Sequence, residues 1–317
     1  MRAVLRDRYG TSDVLRVGDI PAPTIDDSQV LVRVGAAGVG LVDWHLTTGR
    51  PYIARLALGL RRPRHRVAGV DVAGTVEAVG SEVTRFGVGD SVVGTAHGSF
   101  AELVAAREDR LVLRPDALTV EQAAALPVAG CAALTAIDAA RVGAGQRVLV
   151  LGAGGGVGHL AVQIAVARGA EVTAVTSAAK LDVVRGLGAT TVVERHELDT
   201  VGVHDVILDT GGGRPVSRLR ALLAPRGTLA MIGDESGGDW IGLGRQLRAA
   251  ARSPFIHQRL LMIASTEKLK VLEPLVALAA TGQVAPVVTR SASLEAFGDL
   301  LHELETGSVA GKAVLVP

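Results

Sequence analysis

The residues Arg147-Val-Leu-Val-Leu-Gly-Ala-Gly-Gly-Gly-Val-Gly158 run straight into the apolar segment Leu160-Ala-Val-Gln-Ile-Ala165. A buried strand, a tight glycine turn and the start of a helix is the expected order. Backbone N–H groups at such a turn, backed by the helix dipole, favour a pyrophosphate, so the chain is expected to bind a dinucleotide. The match is Ala153-x-Gly155-x-x-Gly158 rather than a plain G-x-G-x-x-G, with Gly152 and Gly154 adding freedom at the turn. Gly155 leaves room for the pyrophosphate, and Gly158 lets helix and strand pack closely. Gly156 and Val157 complete the expected cofactor-facing stretch. The alternative is a set of glycines that serves only a structural turn. No Gly-Lys-Ser/Thr follows, which argues against a phosphate-loop hydrolase.

Which dinucleotide is bound turns on the end of the next strand, Glu171-Val-Thr-Ala-Val175. An NAD site places a carboxylate there for the ribose hydroxyls. This chain instead reads Val175-Thr-Ser-Ala-Ala-Lys180. Thr176 and Ser177 are neutral donors, and Lys180 has the reach to meet a 2′-phosphate. Arg195, past the third strand, is a second candidate clamp, and Gly233 joins the expected cofactor set. NADPH is therefore favoured over NADH. Against this stands the reading of Lys180 and Arg195 as solvated surface residues.

The elements that must position these groups fall into two patterns. Residues 1 to about 117 read as short strands separated by Gly and Pro, among them Gln29–Val34, Gly74–Val79 and Ser91–Val93. Helical pattern is scarce there, with one candidate at Ala54–Leu58. Such strands suit a partly closed barrel. After Pro115 the pattern changes. Thr119-Val-Glu-Gln122 can form a capping box, and the Ala-rich segment beyond it, to about Ala140, reads as a helix or a pair of helices. Strands and helices then alternate: strands at Arg147, Glu171–Val175, Thr191–Val193, His204–Asp209 and Thr228–Ile232, with helices near Lys180–Leu187 and Val216–Leu223 between them. That alternation predicts a mostly parallel sheet with helices on both faces. Near residue 260 the chain is expected to rejoin the first domain, with helices at Leu269–Ala280 and Leu294–Leu304 and a strand at Lys312–Val316.

Bulk properties narrow the function. With 317 residues, 48% apolar and 21% charged, the chain suits a globular protein of two domains. A net charge of +1 offers no broad footprint for nucleic acid. The cluster Arg61-Arg-Pro-Arg-His-Arg66 is short, and local folding or cofactor contact is favoured over a partner site. One cysteine, Cys131, permits neither an internal disulfide nor a cysteine-rich zinc site. No run reaches membrane-spanning length, and no signal peptide opens the chain, so a cytoplasmic location is expected. The ending at Val316-Pro317 is read as complete, which argues against a module of a larger biosynthetic machine.

An ordered series of motifs resembles the medium-chain dehydrogenase/reductase superfamily, in its zinc-independent quinone-oxidoreductase-like branch. The series is Ala37-Gly-Val-Gly-Leu-Val-Asp43, Gly69-Val-Asp-Val-Ala-Gly74, Val83-x-x-Phe-x-x-Gly-Asp90, Gly98-Ser-Phe-Ala-Glu102, Leu126-Pro-Val-Ala-Gly130 with Thr135, Gly154–Gly158, and the Gly-x-x-x-Gly-Lys pattern from Gly307. It covers essentially the whole chain. The resemblance implies an α/β protein with a Rossmann NADPH-binding domain, 118–261. Beside it stands a partly closed GroES-like β-barrel catalytic domain, 1–117 completed by 262–317. It also implies substrate between them, a homodimer, and a nicotinamide contact at Thr135. The zinc ligands of alcohol-dehydrogenase relatives fall at Gly40, Val70 and Cys131, so no metal site is expected. Within the quinone-reductase pattern, an asparagine-proline pair is replaced by Gly40-Leu41, and the tyrosine after Asp43 becomes His45, beside Trp44.

Without a metal, the dinucleotide carries the chemistry. Hydride passing to a quinone or to the β-carbon of an α,β-unsaturated carbonyl leaves charge on the distant oxygen, which needs a donor. His45 is the best side chain for that task, since imidazole titrates near neutrality; a packed or surface histidine is the alternative. Asp43 is grouped with it, as an organiser rather than a proton donor. Trp44 and Trp240 are candidates for pocket walls or for core packing. Metal-free alcohol or ketone oxidoreduction is the second reading, and an NADPH-binding structural or regulatory protein the third.

Overall fold

The computed structural model describes residues 1–232 and 257–317; the expected Gly233 and Trp240 lie outside the described residues. The chain divides into two compact units. One comprises Met1–Cys131, Thr266–Gly282 and Pro286–Pro317, the other Ala132–Ser265 and Gln283–Ala285.

In the first unit the strand Gln29–Val39 is the hub. Val30, Val32 and Val34 alternate into the core, as the two-residue period of a strand requires. Its partners are all antiparallel: Leu103–Arg107, Asp71–Val79 and the C-terminal strand Lys312–Val316. Asp71–Val79 leads on through Ser91–Thr95 to Leu111–Leu113, while Lys312–Val316 carries Val288–Ser293 in parallel. A separate hairpin joins Arg2–Arg6 to Leu15–Asp19. The core between these strands is mainly Val, Ala and Leu, with Phe100 and Phe297 meeting edge to face at 4.7 Å.

Helix is less scarce here than the strand-rich pattern predicts. Leu41–Thr48 is helical, and Arg55–Leu58 follows a short 3-10 turn at Tyr52–Ala54. Asp43 starts the first of these by accepting the Gly40 N–H at 2.9 Å. Gly49, with φ of 63°, ends it by donating to the His45 carbonyl. The capping box forms as expected: Thr119 Oγ1 accepts from the Gln122 N–H at 3.2 Å, and Gln122 Oε1 accepts from the Thr119 N–H at 3.1 Å. The Ala-rich stretch forms two helices, Val120–Ala124 and Pro127–Ala140, the second opening on a proline whose fixed φ suits a helix start.

The second unit is a parallel sheet. Its strand order is Thr191–Glu194, Glu171–Thr176, Arg147–Leu151, His204–Asp209, Leu223–Ile232, Arg259–Ile263. Val148 to Leu151 are fully buried, as strands covered on both faces must be. The chain moves outward from Arg147–Leu151 in one direction, then restarts at His204–Asp209 on its other side. That reversal creates a topological switch point between these two strands, where ligands of such sheets bind beyond the carboxyl ends.

Candidate functional site

The glycine turn leaves the strand Arg147–Leu151 on one side of the switch point. Gly152 takes φ of 78°, a region that disfavours side chains. Its N–H and that of Ala153 both donate to the Val175 carbonyl, at 3.1 and 3.0 Å. Gly158 opens the helix Gly158–Ala167, where a Cβ would lie 2.1 Å from the Gly152 carbonyl oxygen. No side chain fits there. At Gly155 a Cβ would meet only Gly152 O, at 3.3 Å, so this side of the turn is open. In the helix's first turn the His159 and Ala161 N–H groups donate to the Gly155 and Val157 carbonyls, at 3.1 and 2.9 Å, so what the helix offers a phosphate is chiefly the positive end of its dipole.

Several expected cofactor residues come to this turn. A Cβ on Gly154 would lie 2.6 Å from Thr176 Oγ1 and 2.8 Å from Lys180 Cβ, so both side chains run along it. Thr176 and Lys180 are buried, and Ser177 lies between them, its carbonyl accepting the Lys180 N–H at 3.0 Å. Thr135 is carried by the helix Pro127–Ala140, and its buried Oγ1 has no hydrogen-bond partner. An orphaned hydroxyl of this kind fits a ligand contact. Arg195 is exposed at the start of the short 3-10 segment after Thr191–Glu194.

A second glycine loop escaped the sequence reading. Thr210 and Gly211–Gly213 follow the strand His204–Asp209, across the switch point from the first turn. Thr210 Oγ1 donates to the Leu151 carbonyl at 2.8 Å, and a Cβ on Gly152 would lie 2.9 Å from the Gly211 nitrogen. The two loops therefore touch. The signal was present as three glycines directly after an apolar strand, the same grammar as the first turn. This pair of loops, with Thr176 and Ser177 where an NAD site has a carboxylate and Lys180 close behind them, fits NADPH.

In the first unit, His45 and Asp43 share the helix Leu41–Thr48. His45 Nδ1 lies 2.9 Å from the Arg50 carbonyl, which can only accept, so Nδ1 carries the proton. Nε2 is then an acceptor in neutral imidazole and a donor only in imidazolium. Trp44 meets His45 edge to face at 5.0 Å, donates Nε1–H to Glu305 and packs on the core.

Asp43 is buried within a charged group. Lys312 Nζ donates to Asp71 Oδ2 at 3.3 Å, and Asp71 Oδ1 accepts the Val128 N–H at 2.9 Å. Asp43 Oδ1 has no partner, while its Oδ2 holds Gly40. Burial pushes the Asp43 carboxyl up to about 7, with Asp71 adding to the rise and the Gly40 N–H, Lys312 and Arg6 opposing it. Burial likewise raises Asp71 to about 6, against the pull of Lys312.

The three positions that hold zinc in alcohol-dehydrogenase relatives do not fit a metal. Gly40 offers no side chain, and a Cβ there would lie 3.2 Å from the Lys312 ammonium. Val70 is apolar and buried. Burial, then the charges of Glu267 and Asp71, push the Cys131 thiol up, so it holds its proton. A cation at this place would face an ammonium and a thiol rather than thiolates. Among the described residues no three of His, Cys, Asp and Glu gather as a metal group.

Residues 26–116 match the family model described as alcohol dehydrogenase GroES-like domain, and residues 187–315 match the one described as zinc-binding dehydrogenase. The 2-methylene-furan-3-one reductase of Solanum lycopersicum is 31% identical over 335 residues, covering 100% of this chain and 79% of that protein. The quinone oxidoreductase of Coxiella burnetii has a similar structure, with a TM-score of 0.87, 29% identity and coverage of 100% and 99%. A mycobacterial protein solved in complex with NADPH matches with a TM-score of 0.84 and 27% identity, covering 100% of both chains.

Proposed function

We propose that this chain, which belongs to the medium-chain dehydrogenase/reductase superfamily in its quinone-oxidoreductase-like branch, reduces quinones or α,β-unsaturated carbonyls with NADPH and without zinc. The observation that carries this reading is the pair of touching glycine loops at the switch point, with Lys180 buried alongside Gly154 and no carboxylate at the end of Glu171–Thr176. The relatives support the acceptor class: one is named for a quinone and another for a methylene-bearing ring ketone.

Gly152–Gly158 would hold the pyrophosphate, with Thr176, Ser177, Lys180 and Arg195 toward the 2′-phosphate and Thr135 toward the nicotinamide. Bound NADPH supplies hydride. Charge gathering on the acceptor's oxygen needs a donor, and His45 is the side chain assigned to it. With Nδ1 committed to Arg50, His45 serves in that role only as imidazolium, through Nε2. Asp43, buried and capping the same helix, positions His45 rather than meeting the substrate. Among the described residues no helix is long and apolar enough to cross a membrane. A cytoplasmic homodimer completes the proposal.

The test follows NADPH oxidation by metal-stripped protein with a quinone, an enal and a saturated ketone, with NADH in parallel. Turnover of quinone or enal with NADPH is the expected result. Saturable NADPH binding without turnover of any acceptor would overturn the reading, and turnover confined to the ketone would replace it with alcohol/ketone chemistry.

A further inference from the structure

The second glycine loop ends in an arginine that no expected site residue anticipates. Gly212 and Gly213 take φ of 59° and 78°, two consecutive left-handed residues. A Cβ on Gly213 would meet nothing within 4 Å, so the loop's shape, not crowding, requires glycine there. That shape turns the chain back on itself, with the Arg214 N–H donating to the Gly212 carbonyl at 3.0 Å. Asp209 is fully buried at the strand end and accepts the Gly212 N–H at 3.2 Å, which anchors the loop.

Arg214 is half-buried and has charged company. Burial lowers its proton affinity most; Asp209 opposes this, and the charges of Arg195 and Arg218 add to it. Arg195 and Arg214 follow the strands Thr191–Glu194 and His204–Asp209, which two other strands separate in the sheet. The segments that follow these strands nevertheless meet: Arg218, four residues beyond Arg214, donates through Nε to Asp199, four residues beyond Arg195, at 3.2 Å. Arg218 is already committed, forking onto Asp199 through Nε and Nη2. Like charges converging beside a phosphate-binding turn suit an anion that joins them.

We infer that Arg214, acting with Arg195 and Lys180, recognises the 2′-phosphate of NADPH and sets the preference for it over NADH. The inference rests on the NADPH reading above and adds a specificity residue to it. A phosphate monoester offers several oxygens to the planar guanidinium fork, whereas the ribose hydroxyl of NADH offers no charge. The competing account is a structural Arg214 tethered to Asp209.

The experiment titrates 2′,5′-ADP and 5′-AMP by calorimetry against wild type, Arg214→Ala, Arg214→Lys and Arg218→Ala, with melting curves as a folding control. Wild type is expected to prefer 2′,5′-ADP. Arg214→Ala is expected to cut that preference about ten- to hundredfold, the scale of a lost charge-assisted hydrogen bond, while 5′-AMP affinity stays nearly constant. Arg214→Lys should fall between, keeping the charge but losing the fork. Arg218→Ala should leave the ratio unchanged. If both ligands weaken equally in Arg214→Ala and Arg214→Lys, or the ratio holds in both, the inference fails while the NADPH reading stands. If wild type itself shows no preference, the NADPH reading fails with it.

Discussion

Gly158→Ala and Gly155→Ala are expected to fail in different ways, although each adds one methyl group to the same turn. At the start of a helix, glycine to alanine ordinarily gains stability from propensity. At Gly158 the sign reverses, because the methyl would sit 2.1 Å from Gly152 O and 2.9 Å from Ala153 Cα. Both obstacles are backbone, so strand and helix must separate. The overpacking cost is about 1–3 kcal/mol or more, with the turn distorted and NADPH affinity lost along with stability. At Gly155 the methyl meets only Gly152 O at 3.3 Å, and the fold should change by no more than about 0.5 kcal/mol. There the methyl projects into the open side where a pyrophosphate must approach, so affinity should fall about tenfold or more, equivalent to about 1.4 kcal/mol. Thermal melts and fluorescence titration with NADPH read the two effects separately. Equal affinity in Gly155→Ala and wild type would remove the turn from the cofactor site.

The contrast between the two glycine loops explains how much of the site was legible in the sequence. Gly152–Gly158 sits between an apolar strand and an apolar helix, and each feature reinforces the others. Gly211–Gly213 also follows an apolar strand, but only the six-residue helix Val216–Ala221 comes after it, so periodicity gave little support. Its importance comes from strand order, which places residue 211 against residue 152, and sequence alone does not reveal that order. Parallel-strand alternation was legible because both faces of each strand are covered, leaving near-continuous apolar runs. The helix Leu41–Thr48 was not, because its burial falls on Asp43, Thr47 and Thr48, which reads as polar sequence. Asp71 and Lys312 were hidden for a similar reason. They are 241 residues apart, and only the antiparallel pairing of both their strands with Gln29–Val39 brings them together.

That pairing makes Lys312→Met the substitution with the strongest expected pH dependence. Lys312 and Asp71 are 3% and 1% exposed, so neither charge has water to fall back on. Removing one partner of a buried ion pair costs about 3–5 kcal/mol when the other stays ionised. Asp71 can escape that penalty by taking a proton, and burial already raises it to about 6 with the lysine present. Losing Lys312 removes a charge that holds it down, so its affinity for the proton rises further. Carboxyls raised in the folded state, as Asp71 and Asp43 are, stabilise it most below their unfolded range near 4. That contribution is lost as pH rises through about 6 for Asp71 and about 7 for Asp43. Lys312→Met should therefore cost little at pH 5, where Asp71 is neutral, and up to about 2–3 kcal/mol at pH 8, the cost of holding a proton on Asp71 about two pH units above its value of about 6 in the intact pair. Asp71→Asn in the same chain should recover much of the loss at pH 8, since the amide can still accept the Val128 N–H without carrying a charge. Urea denaturation of wild type, the single variant and the double variant at both pH values decides the matter. An equal loss at pH 5 and pH 8 would mean that Lys312 acts through packing of its stem, and that its charge does not hold this corner of the sheet.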